Sequence, residues 1–436
     1  MPQLRDLEIK RETCQNFLCC WVGKQKSLKE KMRALHIVKT SDGAQWAARQ
    51  ARVLVQHGVD VHVALPSSKG HAVEDWVKAG TNIHIVDCSL PLNNPNLFKR
   101  KARKILSLID EVRPDVIHSH FVTTTVMLRL VLGKAHQVPI AFQVPGPLHL
   151  EHLLYRWAEL ATAGKNDYWI ASSQYTHNLY IQHGVPSNRL FLSYYGLNIN
   201  VETVQVTGTL YKKLGIQSNL KLVGNISFMY PPKFYLGHKR GIKGHEDIID
   251  ALGIVGKKRK DVLGVLIGGQ WGTGKAYEKR LRARAEKSLK DRIIMPGRVD
   301  FTDALSLWSD FSCAVHVPFS ENCGGVVEPL LCGVPTIASN IGGLPEVVID
   351  GLTGWLVPPG KPQYIADAIF NVLEDTESSS FFSHVGRQLI LKMFDVNRTA
   401  EEIFNIYNMI LGKSSNPPAH FDSKAYALEI ASAIRN

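Results

Sequence analysis

The stretch Pro318–Gly360 reads PFSENCGGVVEPLLCGVPTIASNIGGLPEVVIDGLTGWLVPPG. It places two acidic residues, Glu321 and Glu328, on either side of a diglycine, and then continues with an apolar run, a β-like segment and two further glycine turns. Carboxylates accept hydrogen bonds from hydroxyl groups, and backbone N–H groups at the start of a helix can face a phosphate. Acids beside glycine-opened backbone suit the recognition of a sugar nucleotide, so this block predicts a transferase that uses an activated sugar.

Outward from this block, short apolar runs alternate with stretches of helical spacing. The predicted strands of a first series are Leu35–Val38, Val59–Leu65, Ile83–Val86, Val116–His118, Ile140–Val144, Trp169–Ala171 and Leu190–Ser193. The predicted strands of a second series are Leu222–Ile226, Val262–Ile267, Ile293–Met295, Ala314–Val317, Thr336–Ala338 and Trp355–Val357. Strands that alternate with helices indicate βαβ units and parallel sheets. The predicted fold class is α/β, with two Rossmann-like lobes facing each other across a cleft that holds the ligand.

The length and the same pattern divide the chain into five parts. We expect an N-terminal extension at 1–32, a first lobe at 33–205, a second lobe at 206–394, a closing amphipathic helix at 395–413 and a loosely ordered tail at 414–436.

The composition is that of a globular protein, with 45% hydrophobic and 21% charged residues. No apolar run reaches the roughly 20 residues that cross a bilayer. The seven cysteines show no disulfide or zinc spacing, and we expect a reduced cytoplasmic protein without an export signal.

The net charge of +12 calls for an anionic partner. Because the sequence lacks a basic stripe interleaved with aromatic residues, nucleic acid is not expected. The basic run FKRKARK at Phe98–Lys104 is either a solvated helix face or a peripheral contact with the inner face of a membrane.

Pro318–Gly360 resembles the C-terminal signature of the retaining, family 4 glycosyltransferases, which have the two-lobed GT-B fold. In that family an acidic pair precedes a short helix, which is followed by G-x-P, a strand, GG, and E-V-x-x-D-G-x-T-G. The corresponding elements here are Glu321, Glu328, Gly333–Pro335, Thr336–Ser339, Gly342–Gly343 and Glu346–Gly354. Weaker similarity extends over most of the chain, through Leu35–Val38 with Gly43, Arg113–His120, Ala171–Gln174, Tyr195–Gly196 and Lys243–Gly244.

The resemblance implies transfer of a sugar from a UDP- or GDP-hexose to a saccharide or lipid-linked acceptor, in the synthesis of a polysaccharide or glycoconjugate. It further implies that the second lobe binds the nucleotide-sugar donor and that the first lobe binds the acceptor.

Three elements of the opening stretch are assigned to the donor. The resemblance implies that Glu328 binds the ribose of the nucleotide, whereas the alternative is a helix-dipole contribution of under about 1 kcal/mol. Glu321 is assigned a catalytic contact with the donor sugar, although six residues separate it from Glu328 where the family has seven. Either the loop is tightened at Gly324 and Gly325, or Glu321 reaches the sugar by another route. The two glycines would let backbone N–H groups approach the donor closely.

Basic residues and a further glycine are assigned to the donor phosphates. Lys243 resembles the family's phosphate-binding K-G and would neutralise the departing diphosphate. The family's arginine is missing, since Asn225 follows Gly224, and Arg240 is proposed as a substitute. Gly43 would bring backbone against the phosphates, although Thr40–Ala44 is not a full G-x-G-x-x-G.

Histidines are the remaining catalytic candidates. His118 and His120 alternate at a predicted strand end, and we expect them to face opposite sides, with His120 in the cleft. His149 is predicted to replace a second histidine of the family, displaced by the preceding Pro-Gly turn. For each of them, contact with the donor or acceptor sugar stands beside a purely structural role.

Metal sites are not expected. The sequence contains no D-x-D triplet, and no cluster of His, Cys or carboxylates shows metal spacing, so we predict a metal-independent enzyme without a cofactor. Two alternatives to transfer are a two-lobed sugar-nucleotide epimerase and a non-catalytic sugar-nucleotide-binding subunit. The shifted Glu321 and the missing arginine keep the second alternative open.

Overall fold

The computed structural model of the protein describes residues 31–197, 208–234, 237–299 and 301–435. The predicted N-terminal extension lies outside these ranges except for residues 31 and 32, and so does the predicted boundary between the lobes at 205 and 206. The exact boundaries of the five predicted parts remain predictions.

The first lobe is a seven-stranded parallel sheet with strand order β3-β2-β1-β4-β5-β6-β7. Its strands are β1 (Arg33–Ile37), β2 (Asp60–Leu65), β3 (Asn82–Ile85), β4 (Val116–Ser119), β5 (Ile140–Val144), β6 (Asp167–Ala171) and β7 (Leu190–Leu192). Its helices are α1 (Gln45–Gln56), α2 (Val73–Lys78), α3 (Pro95–Val112), α4 (Val122–Leu132), α5 (Leu153–Ala161) and α6 (Gln174–Gln182).

The second lobe is a six-stranded parallel sheet with strand order β10-β9-β8-β11-β12-β13. Its strands are β8 (Lys221–Ile226), β9 (Val262–Ile267), β10 (Ile293–Gly297), β11 (Phe311–His316), β12 (Thr336–Ser339) and β13 (Trp355–Val357). The remaining helices are α7 (Thr209–Leu214), α8 (His245–Lys258), α9 (Ala276–Leu289), α10 (Phe301–Trp308), α11 (Val327–Leu331), α12 (Pro362–Glu374), α13 (Thr376–Met393), α14 (Val396–Ile410) and α15 (Ser423–Arg435).

Each predicted strand is present, and the predicted α/β fold class is confirmed. Strands of a sheet covered by helices on both faces are continuous apolar runs, and all six residues of β9 are buried. Boundaries shift by up to three residues: β11 begins at Phe311 rather than Ala314 because the strand extends through residues that are less uniformly apolar.

Each sheet has a point at which the strand order reverses, between β1 and β4 in the first lobe and between β8 and β11 in the second. Ligands of open α/β sheets bind outside the carboxyl ends of the strands at such points. The candidate site is therefore sought at the ends of these four strands.

The C-terminal helices link the lobes. At the end of α13 the carbonyl of Phe394 accepts a hydrogen bond from the backbone N–H of Leu197 (2.7 Å). Helix α14 then packs against α1, with Ile403, Ile406 and Tyr407 in the core of the first lobe.

The expectation of a loosely ordered tail is wrong for residues 423–435. They form α15, which packs against α13 with Ala427 and Ala431 buried. The two prolines before it suggested a tail, but alanines at helical spacing give the segment a narrow face that fits against another helix.

Two further features bear on sequence expectations. Within the described ranges, no helix is both long and apolar enough to cross a membrane. Cys88, Cys313, Cys323 and Cys332 are free thiols, and the other three cysteines lie in the part of the chain that the structure does not describe.

Candidate functional site

Lys243 lies at the start of α8, beside the end of β11. The preceding loop closes on Gly244, which has φ of 71° and whose missing β-carbon would stand 2.1 Å from the carbonyl oxygen of Val317. Only glycine allows this approach. It brings the Lys243 ammonium into an ion pair with Glu321, and both side chains are largely buried.

Glu321 is held ionised by its neighbours. Its carboxylate accepts hydrogen bonds from Nε2 of His316 (3.1 Å) and from the backbone N–H of Asn322 (3.1 Å). Burial opposes ionisation, but the charge of Lys243 and the hydrogen bond from His316 outweigh it and hold the pKa of Glu321 far below its usual range. The predicted phosphate and sugar residues of the second lobe thus form one charged pair.

Asn225 stands where the family has its arginine, and it belongs to the same network. Its amide donates to the carbonyl of Val315 (2.8 Å) and lies 3.3 Å from Nδ1 of His316. An acceptor role for Nδ1 leaves the proton of neutral His316 on Nε2, where it is donated to Glu321. The sequence does not mark His316 as a site residue, because a buried histidine in an apolar strand carries no signal of its own.

The two glycines of the diglycine differ. Among the described residues, a β-carbon on Gly324 would meet no atom within 4 Å, whereas one on Gly325 would stand 2.0 Å from Nε2 of His316. The chain forms a short 3₁₀ turn at Gly324–Val326 that leads directly into α11. The turn is compatible with the tightened loop that the shorter spacing suggested, and the route by which Glu321 would reach the sugar remains a prediction.

Glu328 lies in the first turn of α11. One of its carboxylate oxygens accepts a hydrogen bond from Nε1 of Trp308 (3.3 Å), and burial raises the pKa of this carboxyl. Arg49 on α1 of the other lobe is close enough for its charge to act on Glu328. Because the two residues are far apart in sequence, no local pattern predicted that Arg49 would approach this acid.

Arg240 forms an ion pair with Asp247, a fully buried residue in the first turn of α8. The side chain of Arg240 is 41% exposed, so this pair leaves part of it open to solvent. Its assignment to the donor phosphates remains a prediction, and the contact with Asp247 adds a second role as an anchor of the loop before α8.

Gly43 lies in the loop between β1 and α1. Of the described atoms, a β-carbon there would touch only Thr40, at 3.7 Å, so the surrounding space in this part of the structure is open. The residue in the left-handed region is the next one, Ala44, with φ of 64°. Approach of a phosphate to this loop is compatible with the geometry and remains a prediction.

His118 and His120 face the same side, which corrects the expectation that they diverge. Their rings stack with centroids 4.2 Å apart, and His36 of β1 joins them through a contact of 3.0 Å between its Nδ1 atom and Nε2 of His120. Residues two apart in a strand project to the same face, so alternate positions never point to opposite sides.

These three histidines also form a group that the sequence did not reveal, since each offers a ring nitrogen within 4.8 Å of the others. Several of these nitrogens already have partners: Nδ1 of His36 lies 3.0 Å from Nε2 of His120, and Nδ1 of His118 lies 2.6 Å from the hydroxyl of Tyr407. All three side chains are buried, and burial lowers the pKa of each imidazole.

His149 lies in a 3₁₀ turn, Pro147–His149, and points into the core of the first lobe. Its Nε2 atom is 3.1 Å from the hydroxyl of Tyr180, and its ring packs on Phe142. Contact between His149 and a sugar remains a prediction, and these contacts favour a packing role.

Glu346, the first residue of the E-V-x-x-D-G block, joins the two lobes. Its carboxylate accepts hydrogen bonds from the backbone N–H groups of Gln174 and Tyr175 (2.8 Å each), at the start of α6, and from the hydroxyl of Tyr194 (2.6 Å). The amide of Asn322 also reaches the carbonyl of Ser172 (3.1 Å). These contacts hold the first lobe against the loop that carries Glu321.

Two family models match the chain. The model for group 1 glycosyl transferases matches residues 225–389, and the model for Glycosyltransferase Family 4 matches residues 43–201. Together the two models cover more than half of the chain, and each matches one of the two lobes.

Curated relatives are similar to the chain over different lengths. An uncharacterized glycosyltransferase of Methanocaldococcus jannaschii is 25% identical over 57% of this chain and 59% of its own. The capsular polysaccharide biosynthesis glycosyltransferase CapM of Staphylococcus aureus is 20% identical over 88% of this chain and 99% of its own. The chain spans about half to three fifths of the curated relatives that it matches first.

Among solved structures, HepE of Anabaena in complex with UDP-glucose superposes with a TM-score of 0.70 at 21% identity, over 86% of this chain and 99% of HepE. This likeness concerns the fold. With both family models matched in order along the two lobes, the chain belongs to the group 1, family 4 type of glycosyltransferases.

Proposed function

We propose that the protein is a retaining glycosyltransferase that transfers a hexose from a UDP-hexose or GDP-hexose donor to a saccharide or lipid-linked acceptor, in polysaccharide or glycoconjugate biosynthesis. The observation that carries the proposal is the buried Lys243–Glu321 ion pair at the start of α8, at the strand-order reversal of the second lobe. The names of the relatives, among them a capsular polysaccharide enzyme and a protein solved with UDP-glucose, support the donor and product classes.

The donor would lie along the edge of the second lobe. Lys243 and the N–H groups at the start of the 14-residue helix α8 would face the diphosphate, where the positive end of the helix favours an anion. Glu328 would accept hydrogen bonds from the ribose hydroxyls, and Glu321 would do the same for the hexose. Gly324, with open space around it, would let backbone approach the sugar.

The reaction needs one bond to form and one to break. The acceptor oxygen bonds to the anomeric carbon on the face from which the diphosphate departs, the bond from that carbon to the phosphate oxygen breaks, and the acceptor proton passes to the departing diphosphate. The leaving charge would be stabilised by Lys243 and backbone N–H groups rather than by a metal ion.

The acceptor side of the protein offers a surface for a membrane. Helix α3 carries the predicted basic run, with Lys99, Arg100, Arg103 and Lys104 exposed. It packs on α4, and α4 packs on α5, where Leu153, Leu154 and Trp157 are 74%, 62% and 68% exposed. We propose that this combination of basic and apolar side chains rests on an anionic membrane that holds a lipid-linked acceptor.

The test of the proposed function is a thermal-shift panel of UDP-, GDP- and ADP-sugars, followed by product analysis. A ligand at 100 times its Kd stabilises by about 2.7 kcal/mol, so the accepted nucleotide stands out from the others. A glycosylated acceptor with the donor's anomeric configuration is the expected product. An isomerised free sugar nucleotide would indicate an epimerase instead, and donor binding without any turnover would indicate a binding subunit.

A further inference from the structure

We propose that Tyr407 and His36 are positioning residues that hold His120 as the Nε2–H tautomer, which leaves its Nδ1 atom unprotonated to accept a hydrogen bond from a sugar hydroxyl. The sugar contact rests on the proposed function, whereas the tautomer does not. Tyr407 belongs to α14, so the helix that returns from the second lobe would set the chemistry of a histidine in the first.

The proposal starts from a continuous chain of buried contacts. The hydroxyl of Tyr407 lies 2.6 Å from Nδ1 of His118 and 3.3 Å from Nε2 of His36. On the far side of the His36 ring, Nδ1 lies 3.0 Å from Nε2 of His120. All four side chains are fully buried, so these contacts do not exchange with bulk water.

Proton counting allows two arrangements of neutral rings. In the first, Tyr407 donates to His118 and accepts from Nε2–H of His36, which obliges His120 to donate from Nε2 to His36. In the second, every donor and acceptor in the chain is reversed. The protonation of one ring nitrogen is set by the hydrogen bond that the other nitrogen makes.

The length of the bond between Tyr407 and His118 favours the first arrangement. A separation of 2.6 Å is short for an N–H donor and ordinary for a hydroxyl donor, so Tyr407 donates to His118 and accepts the longer bond from His36. Nε2 of His118 and the amide oxygen of Gln143 are both buried without a hydrogen-bond partner among the described residues, so they do not decide between the two arrangements.

This series of hydrogen bonds ends at a ring nitrogen that has no partner among the described residues. Nδ1 of His120 is buried and makes no hydrogen bond to any described residue. The ring lies against Trp46 and Tyr195, with centroids 5.3 and 6.5 Å away. A buried acceptor that is left unsatisfied is costly, and a hydroxyl donor from a bound sugar would satisfy it.

The test is a nitrogen NMR experiment on the full chain labelled with ¹⁵N in its histidine rings. The variants His36→Gln, His118→Gln and His120→Gln assign the three resonance pairs among the 17 histidines. We expect His120 to be protonated at Nε2 and bare at Nδ1. Protonation at Nδ1 would overturn the proposal, and this measurement on the unaltered protein needs neither donor nor acceptor.

Tyr407→Phe keeps the aromatic packing on His118, where the ring centroids are 5.7 Å apart, and removes the hydroxyl. We expect His36 and His120 then to populate both tautomers. His62 and His84, whose ring nitrogens lie 2.9 Å apart, do not belong to this series of hydrogen bonds and serve as the internal control. Their tautomers should not change. An unchanged His120 in this variant would contradict the positioning role. Binding of added Zn²⁺ to the three rings would also overturn the proposal, since it would make them a metal centre.

The sugar contact is tested separately, with the donor identified by the nucleotide-sugar panel. Tyr407→Phe should lower kcat about tenfold and leave the KM for the donor unchanged, because the tautomer affects the reacting geometry rather than nucleotide binding. A shifted tautomer with unchanged kcat would overturn the contact while leaving the proposed function intact.

Discussion

The ring of His316 fills the space that a β-carbon on Gly325 would need, with Nε2 only 2.0 Å from that position. The same nitrogen donates to Glu321. Glycine at this position therefore permits the histidine to reach the acid that pairs with Lys243. The neighbouring Gly324 has open space instead, and the diglycine combines a packing residue with a residue open to a ligand.

Gly325→Ala should displace His316 and weaken donor binding, because the ring is wedged between buried neighbours and cannot move freely. We expect the Kd for the accepted nucleotide sugar to rise at least about tenfold, which corresponds to roughly 1.4 kcal/mol. Gly324→Ala is the control for the free protein only: its β-carbon meets no described atom within 4 Å, so its melting temperature should match that of the parent. Isothermal titration of Gly325→Ala decides, and an affinity equal to that of the parent protein would contradict the link to His316.

Glu321→Gln should destabilise the protein in a way that depends on pH. It leaves Lys243 without its partner in a largely buried site, a change that typically costs about 3 kcal/mol at neutral pH. Lys243 and His316 lower the pKa of Glu321 below its usual value of 4.5, so its contribution is complete above pH 4.5 and is lost as the pH falls toward the folded-state pKa.

The melting temperatures of the parent protein and Glu321→Gln should therefore differ most near pH 7 and converge in acid. Glu286→Gln, at an exposed position of α9, is the control for loss of a carboxylate without burial. A difference that stays constant as the pH falls well below 4.5 would show that the ion pair does not carry the effect.

Glu346→Gln should weaken the contact between the two lobes. The carboxylate accepts three hydrogen bonds from the first lobe, and bonds to a charged group contribute about 1.5–3 kcal/mol each. The neutral amide of glutamine would place an N–H group against some of those donors, so part of the three hydrogen bonds would be lost. Small-angle X-ray scattering should show a larger radius of gyration for the variant, with Tyr194→Phe intermediate because it removes one of the bonds. Identical scattering for all three proteins would exclude a clamp at this residue.

The sequence predicted the parts of the fold that depend on local patterns. Strands such as Val262–Ile267 are unbroken apolar runs, and their alternation with helices dictates parallel sheets. Lys243 and Glu321 were also both selected as donor residues, and the structure pairs them. What makes these features predictable is that each is carried by residues close together in sequence.

The features that escaped prediction depend on contacts between distant segments. His36 and Tyr407 meet across 371 positions of the chain, and neither has a neighbour in sequence that marks it. The approach of Arg49 to Glu328 requires both lobes to be folded and apposed. That His118 and His120 face the same side was predictable, however, because side chains two residues apart in a strand project to the same face.

The outward face of α5 carries large apolar side chains. A helix normally buries its apolar side chains, yet the one side chain of α5 that is buried is Glu159, held by Arg129 and by the indole of Trp169. This ionic anchor fixes the helix with Leu154 and Trp157 directed outward. Such an arrangement has a physical reason if the outer face contacts an apolar phase.

Leu154→Asp combined with Trp157→Asp should reduce binding to vesicles that contain anionic lipid at least about tenfold, since it removes apolar contact and adds negative charge beside an anionic surface. Tyr364→Asp, at a 57% exposed aromatic residue of the second lobe, is the matched control and should bind as the parent does. Vesicles of zwitterionic lipid should bind the parent weakly, because the basic residues of α3 then lack a counter-charge. Undiminished sedimentation of the double variant with anionic vesicles would assign membrane contact, if any, to another face of the protein.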